Sequence, residues 1–210
     1  MRAGAAADGL LSHGRAGALM TARLDLLAHG PTAATRAARF PDDEALEAAA
    51  VSALEALSGR LCRYARVLTA PARAARETAQ ALGFDAEVET ALRDCDYGRW
   101  RGLGPKEVAR REPGAFAAWL DDPAAAPHGG ESIAALIERT QAWLAQSLAR
   151  ESATLAVTHA SVVRAAIVNA LGAGPSAFFR IDVAPLSLAR LSGRDGRWNL
   201  VAFGPVGALS

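Results

Sequence analysis

Short apolar runs that stop abruptly alternate along this chain with longer stretches in which apolar residues recur at helical spacing. Residues 23 to 28 form the first such run, and Gly30-Pro31 ends it just behind His29. A run this apolar predicts a strand covered on both faces, as in the parallel sheets of α/β proteins. Pro41-Asp42-Asp43-Glu44 marks a helix start, with early carboxylates toward the positive end of the dipole; the helix runs to about Leu57 and stops at Gly59. Tyr64 to Thr69 reads as a second strand, Ala70-Pro71 turns it into a helix that ends at Gly83, and Phe84 to Thr90 reads as a third strand. Glu131 to Arg150 puts Ile133, Ile137, Trp143 and Leu144 on or near one helix face. Thr154 to Val157 is a further buried strand, followed by a helix from Ala160. Ser187 to Leu191 and Arg197 to Phe203 form a hairpin across Gly193-Arg194-Asp195-Gly196. Strand then helix, repeated, predicts an α/β fold of three layers with a mostly parallel central sheet and helices on both faces. Between Asp94 and Asp122 the Gly, Pro and Trp content predicts an irregular lid, with short helices at about 105 to 111 and 114 to 120. No internal repeat or domain boundary interrupts the pattern.

Composition narrows the class. A chain of 210 residues with 51% hydrophobic content can bury one sizeable core. Residues 1 to 19 are rich in Ala and Gly and lack a basic segment followed by an apolar core, so they read as a disordered extension or an upstream start rather than a signal peptide. The domain is then expected over residues 20 to 210, and His13 receives no role. No run is long enough to span a bilayer, and a formal net charge of +1 argues against nucleic acid or an anionic membrane as main partner. The basic residues are nearly all arginine, Lys106 being the only lysine, so scattered arginines read as solvated surface unless a motif claims them. Cys62 and Cys95 show neither metal-ligand nor disulfide spacing and suit a reduced, cytoplasmic compartment. The four histidines likewise lack metal-ligand spacing. A homodimer is left open.

Candidate chemistry enters at two strand ends. His29 stands at the end of the first strand, and Thr158-His159 ends the strand over residues 154 to 157, just before a helix. Open α/β folds bind ligands beyond the carboxyl ends of their strands, and a helix N-terminus favours an anion. One such histidine is as readily structural as catalytic. Two with the same grammar point to one site.

Five stretches in order carry a resemblance. They are Ala28-His29-Gly30-Pro31-Thr32; Arg39-Phe40 ten residues on; Ala70-Pro71-Ala72-Arg73-Ala74-Ala75-Arg76-Glu77-Thr78-Ala79; Leu92-Arg93-Asp94-Cys95-Asp96-Tyr97-Gly98-Arg99-Trp100-Arg101-Gly102; and Gly129-Gly130-Glu131-Ser132 together with Thr158-His159-Ala160. From about Leu24 to the C-terminus the chain resembles the histidine phosphatase superfamily, with its phosphoglycerate mutase-like fold. The resemblance implies cleavage of a small phosphorylated metabolite through a phosphohistidine, without metal or cofactor. It implies His29 as nucleophile, His159 as second phosphate ligand and Asp94 as general acid. Gly30, Thr32, Thr35, Arg36, Arg39 and Arg73 are the expected substrate contacts, with His128 and Glu131 at the pocket border. Glu131 is read mainly as a first-turn carboxylate of its helix.

The chain departs from the family at positions that matter. Both phosphate-clamping arginines are alanine, Ala28 and Ala74, and Asp94 stands where glutamate is usual. Each lost donor to a charged oxygen costs on the order of 3 kcal/mol of transition-state stabilisation. Arg39, with help from Arg36, is the expected replacement, while Arg73 is turned about 100 degrees away from position 74 on its helix. Two readings follow: a compact phosphomonoesterase of the α-ribazole phosphatase or broad-specificity type, or a member that keeps the histidine pocket for ligand binding or other acid/base work.

Overall fold

The computed structural model describes residues 22–59, 61, 63–148, 152–194 and 196–209. The extension expected over residues 1 to 19 and Cys62 lie outside the described residues.

Strand β1 (Ala22–Ala28) is buried at every position but Arg23, as its apolar run requires. Helices α1 (Ala33–Arg36) and α2 (Ala48–Glu55) lead from it to β2 (Arg66–Thr69), and α3 (Arg73–Ala81) leads on to β3 (Glu87–Val88). Helices α4 (Pro105–Arg111), α5 (Pro113–Asp121) and α6 (Ile133–Leu148) precede β4 (Ala153–Thr158) and α7 (Ala160–Leu171). The chain closes with β5 (Ser187–Arg194), β6 (Arg197–Pro205) and α8 (Val206–Leu209). Short 3₁₀ turns at Thr90–Leu92, Gly98–Trp100 and Pro175–Arg180 were not legible in the sequence pattern.

The six strands lie in the order β3-β2-β4-β1-β5-β6. The pairs β3–β2, β2–β4 and β4–β1 are parallel, and the hairpin β5–β6 adds antiparallel strands beyond β1. The mostly parallel α/β sheet is therefore as the sequence predicts. Between β1 and β3 the crossovers move one way along the sheet, and from β3 back to β4 they move the other way. Because such crossovers are right-handed, α2 and α3 cover one face and α6 the opposite one, where α7 packs against α6. The chain leaves β1 toward β2 but leaves β4 toward β5. Where connections part in this way, a crevice opens beyond the carboxyl ends of the two strands.

The core runs through β1, β4 and α7: Leu24, Leu26, Leu27, Leu155, Val157, Val162, Val163 and Ile167 are all buried in one cluster. One charge lies within it. Asp25, fully buried on β1, accepts from Arg23 Nη2 (2.7 Å), from Tyr64 Oη (2.8 Å) and from its cross-strand partner Arg190 (3.0 and 3.1 Å). Among the described residues no helix is long and apolar enough to cross a membrane.

Three elements differ from expectation. The helix predicted from residues 41 to 44 starts only at Ala48, because the acidic run is used as a loop. There Glu44 accepts the Asp42 N–H (3.0 Å), and Asp43, in the left-handed region at φ 59°, accepts the Arg73 N–H (2.7 Å). The strand expected over 84 to 90 shrinks to two exposed edge residues that pair only with Leu68 and Thr69. The helix expected from Glu131 starts at Ile133, with Ser132 Oγ accepting the Ala135 N–H (3.1 Å). The lid helices fall at 105–111 and 113–121, close to prediction.

Candidate active site

β1 and β4 are neighbours in parallel register, Ala28 beside Thr158. The residues that follow them must land side by side, and they do: the rings of His29 and His159 meet edge to face, centroids 5.1 Å apart. Both are buried, and both line a cavity of about 410 Å³ beyond the carboxyl edge of the sheet.

His29 is held from two sides. Its backbone N–H donates to Thr158 O (2.8 Å), and its Nδ1 lies 2.8 Å from Gly30 O. A carbonyl can only accept, so Nδ1 carries a proton, and in the neutral tautomer that this bond selects Nε2 holds the lone pair. Gly30 is fixed in turn by Thr78, whose Oγ1 accepts the Gly30 N–H (3.0 Å) and donates to Ala74 O (2.7 Å). A Cβ at residue 30 would come within 3.1 Å of Leu46 and 3.4 Å of Leu54, so the turn is closely packed as well as bonded.

His159 precedes the first turn of α7 without capping it. Its Nδ1 lies 3.3 Å from Asp94 Oδ2, outside hydrogen-bonding alignment, and its Nε2 has no hydrogen-bond partner. Burial pushes this imidazole below its ordinary pKa, against the upward pull of the Asp94 carboxylate. Asp94 Oδ1 is taken up by the Cys95 N–H (2.8 Å) and the Ser161 hydroxyl. Only Oδ2 faces the histidine.

The segment carrying Asp94 is pinned by Arg139 of α6. Its guanidinium donates to the carbonyls of Ala91 (2.6 Å), Arg93 (3.1 Å) and Asp94 (3.3 Å) and makes a two-pronged bond to Glu131 at 2.8 Å on each side. Glycine matters here for close approach. A Cβ at Gly130 would sit 2.0 Å from Asp96 O, and one at Gly98 (φ 49°) would sit 2.2 Å from His128 O. Without side chains at these positions, the 128–131 loop pairs with the lid through Glu131 N–H to Asp96 O (2.8 Å) and Arg99 N–H to His128 O (3.1 Å).

Of the residues expected at the site, His29, Thr32, Asp94 and His159 line the cavity, and Gly30 supports it from beneath. The others are directed elsewhere. Thr35 completes the capping box of α1 with Thr32 (2.8 and 3.3 Å). Arg36 bonds Glu47 (Nε to Oε1 2.7 Å), Arg73 bonds Glu77 (2.7 Å), Arg39 is exposed, and none of the three lines the cavity. His128 is buried beside Trp100, ring centroids 5.0 Å apart, and its Nδ1 accepts the Gly130 N–H (3.0 Å). Glu131 belongs to Arg139. The two substituted positions differ: Ala74 lies on the cavity lining, and Ala28 is buried off it.

Sequence reasoning missed the remaining lining. Asp42, Asp43, Glu44, Asp96, Arg93 and Arg101 all border the cavity. It also missed the supports Thr78, Arg139 and Ser161. Arg139 left a signal, since it stands three residues after Leu136 and four before Trp143, toward the buried side of α6. Asp42 to Glu44 left none, because three acidic residues after a proline read equally well as a helix start.

Comparison with known proteins agrees with this geometry. The bifunctional protein Rv2228c of Mycobacterium tuberculosis is 32% identical over 180 residues, covering 80% of this chain and 50% of its own length. The glucosyl-3-phosphoglycerate phosphatase of the same organism is 34% identical over 139 residues, covering 61% of each chain. The solved structure of mycobacterial glucosyl-3-phosphoglycerate phosphatase Rv2419c complexed with VO3 matches with a TM-score of 0.74 at 28% identity, covering 87% of this chain and 98% of the other. The chain spans about half the length of the curated relatives it matches first. A family model matches residues 24–205, and on that match, with two strand-end histidines facing one cavity, the chain belongs to the histidine phosphatase superfamily, branch 1.

Proposed function

We propose that this chain hydrolyses the phosphomonoester of a small metabolite through a phosphohistidine at His29. The observation that carries the reading is the pair of buried imidazoles, 5.1 Å apart in one cavity, with Nε2 of His29 left as a lone pair by the Nδ1 bond to Gly30. Nε2 attacks phosphorus as the ester P–O bond breaks, and the leaving oxygen takes a proton from Asp94 through Oδ2, the oxygen not engaged by Cys95 and Ser161. Water then attacks the phosphohistidine, returning its proton to the Asp94 carboxylate and freeing phosphate and His29. His159, kept neutral by burial, offers an Nε2–H to a phosphoryl oxygen. Curated relatives named as phosphatases support the class of reaction.

A second reading, a member that binds a ligand without cleaving it, is favoured by the lining itself. Among the described residues five carboxyl groups and two guanidiniums border the cavity, and no arginine stands at position 28 or 74. Rapid quench during turnover separates the two. Acid-labile phosphate on the parent protein, absent from a folded His29→Ala variant with no residual turnover, supports hydrolysis. Full turnover by His29→Ala would place the chemistry elsewhere, and a parent inactive on a broad phosphomonoester panel would favour the second reading.

A further inference from the structure

Part of the lining that the histidines share is acidic. Asp42, Asp43 and Glu44 follow one another on the loop before α2, and all three line the cavity. Asp43 is tied to the Arg73 N–H and Glu44 to the Asp42 N–H, while the Asp42 carboxylate has no partner among the described residues. Among the described residues no guanidinium bonds any of the three. The two arginines on the lining answer to other carboxylates, Arg93 to Glu131 (3.5 Å) and Arg101 to Asp96 (3.3 Å). Leaving out the imidazoles and the proton-donating Asp94, four carboxylates against two guanidiniums give the described lining a formal charge of −2.

A second observation calls for a ligand in this space. His159 is 4% exposed and lines the cavity, yet neither of its ring nitrogens has a hydrogen-bond partner. Buried polar atoms are rarely left so, and a functional role is one reason for the exception. A ligand carrying only negative charge would meet the histidines and the acidic run together, and the second contact would repel it. A phosphoryl group joined to a cation meets both walls favourably.

We propose that the cavity selects phosphomonoesters whose alcohol carries an ammonium group, received by Asp42 and Glu44 while the phosphoryl group faces His29 and His159. The inference rests on the phosphatase reading above and names its substrate class. With no arginine at positions 28 and 74, the substrate supplies part of the positive charge that the protein does not.

The test compares kcat/KM for O-phosphoethanolamine and glycerol 3-phosphate, with chelator present, in the parent and in Asp42→Asn/Glu44→Gln. The parent is expected to prefer the amine ester at least about tenfold, and added salt to narrow that preference because partly exposed charges are screened. In the double variant the ratio falls toward unity as glycerol 3-phosphate gains. An equal or reversed preference in the parent overturns the inference while leaving the phosphatase reading intact. So does turnover of glycerol 3-phosphate that appears only with added magnesium. Should neither ester be cleaved, calorimetric titration of the same two esters decides. Binding of the amine ester at least about tenfold tighter, lost in the double variant, upholds the selectivity while the hydrolysis reading fails, and equal or absent binding of both overturns the selectivity.

Discussion

Thr78→Val isolates one hydroxyl that holds Gly30, the residue after His29, from 48 residues away in sequence. Valine matches threonine in shape, so the fully buried site keeps its packing and loses only Oγ1. Two bonds go with it, and they are not equivalent. The Ala74 carbonyl lies inside α3 and keeps its place in the helix ladder. The Gly30 N–H, buried against Leu46 and Leu54, is left without an acceptor. An unsatisfied buried amide costs about 1–3 kcal/mol. At about 2–4 °C per kcal/mol for a chain of this size, a loss near 2 kcal/mol lowers Tm by roughly 4–8 °C. Function should suffer further, since the Gly30 carbonyl orients His29 through Nδ1, and a loosened turn misaligns Nε2. A drop in kcat of about tenfold is expected. Thr78→Ser is the control: it keeps the hydroxyl, gives up one buried methyl at about 1 kcal/mol, and should retain most of the activity. Thermal melts and phosphoester turnover on all three proteins make the comparison. A valine variant melting within a degree of the parent, or serine and valine losing activity equally, would refute the argument that the Gly30 bond carries the effect.

Three further outcomes are expected. Burial works against the Asp25 carboxylate, but its bonds from Arg23, Arg190 and Tyr64 prevail and hold its pKa below the usual value. Its contribution to stability is therefore present above about pH 4 and is lost as pH falls through the lower folded value, and Asp25→Ala, which removes the buried carboxylate that Arg23, Arg190 and Tyr64 share, should cost about 3–5 kcal/mol in denaturant titrations at pH 7. Burial depresses both His159 and His128, so the unfolded chain takes up protons first and stability should fall as pH drops below about 6.5. Melts between pH 8 and 5 should show this slope, reduced in His159→Gln; an unchanged slope would mean that His159 is not held neutral. Ala74→Arg points a guanidinium into the cavity beside Asp43 and should raise turnover of anionic phosphoesters by about tenfold, with less gain on amine-bearing ones. A folded variant with the parent's activity on both would show that position 74 does not reach the phosphoryl group.

What the sequence determined by itself is the frame. Largely apolar runs at residues 23 to 28 and 154 to 157 are best satisfied between two covered faces, and each is followed by a histidine before a turn or helix, so the strands, the candidate histidines and the sheet type follow from local pattern. The adjacency of those two strands did not follow: it came from the sheet order, which sets β4 between β1 and β2, and from the resemblance of five ordered motifs. Tertiary structure alone decided the charge of the cavity. Arg36, Arg39 and Arg73 are near His29 or Ala74 in sequence, but the first and last are drawn to Glu47 and Glu77, and Arg39 stays exposed. Asp42 to Glu44, readable as a helix start, instead turn to meet the first turn of α3 and become a wall of the site. Periodicity records which face of an element is buried. The partner of a long charged side chain is set by what lies within a few ångströms of its end, and that neighbour comes from a different part of the chain.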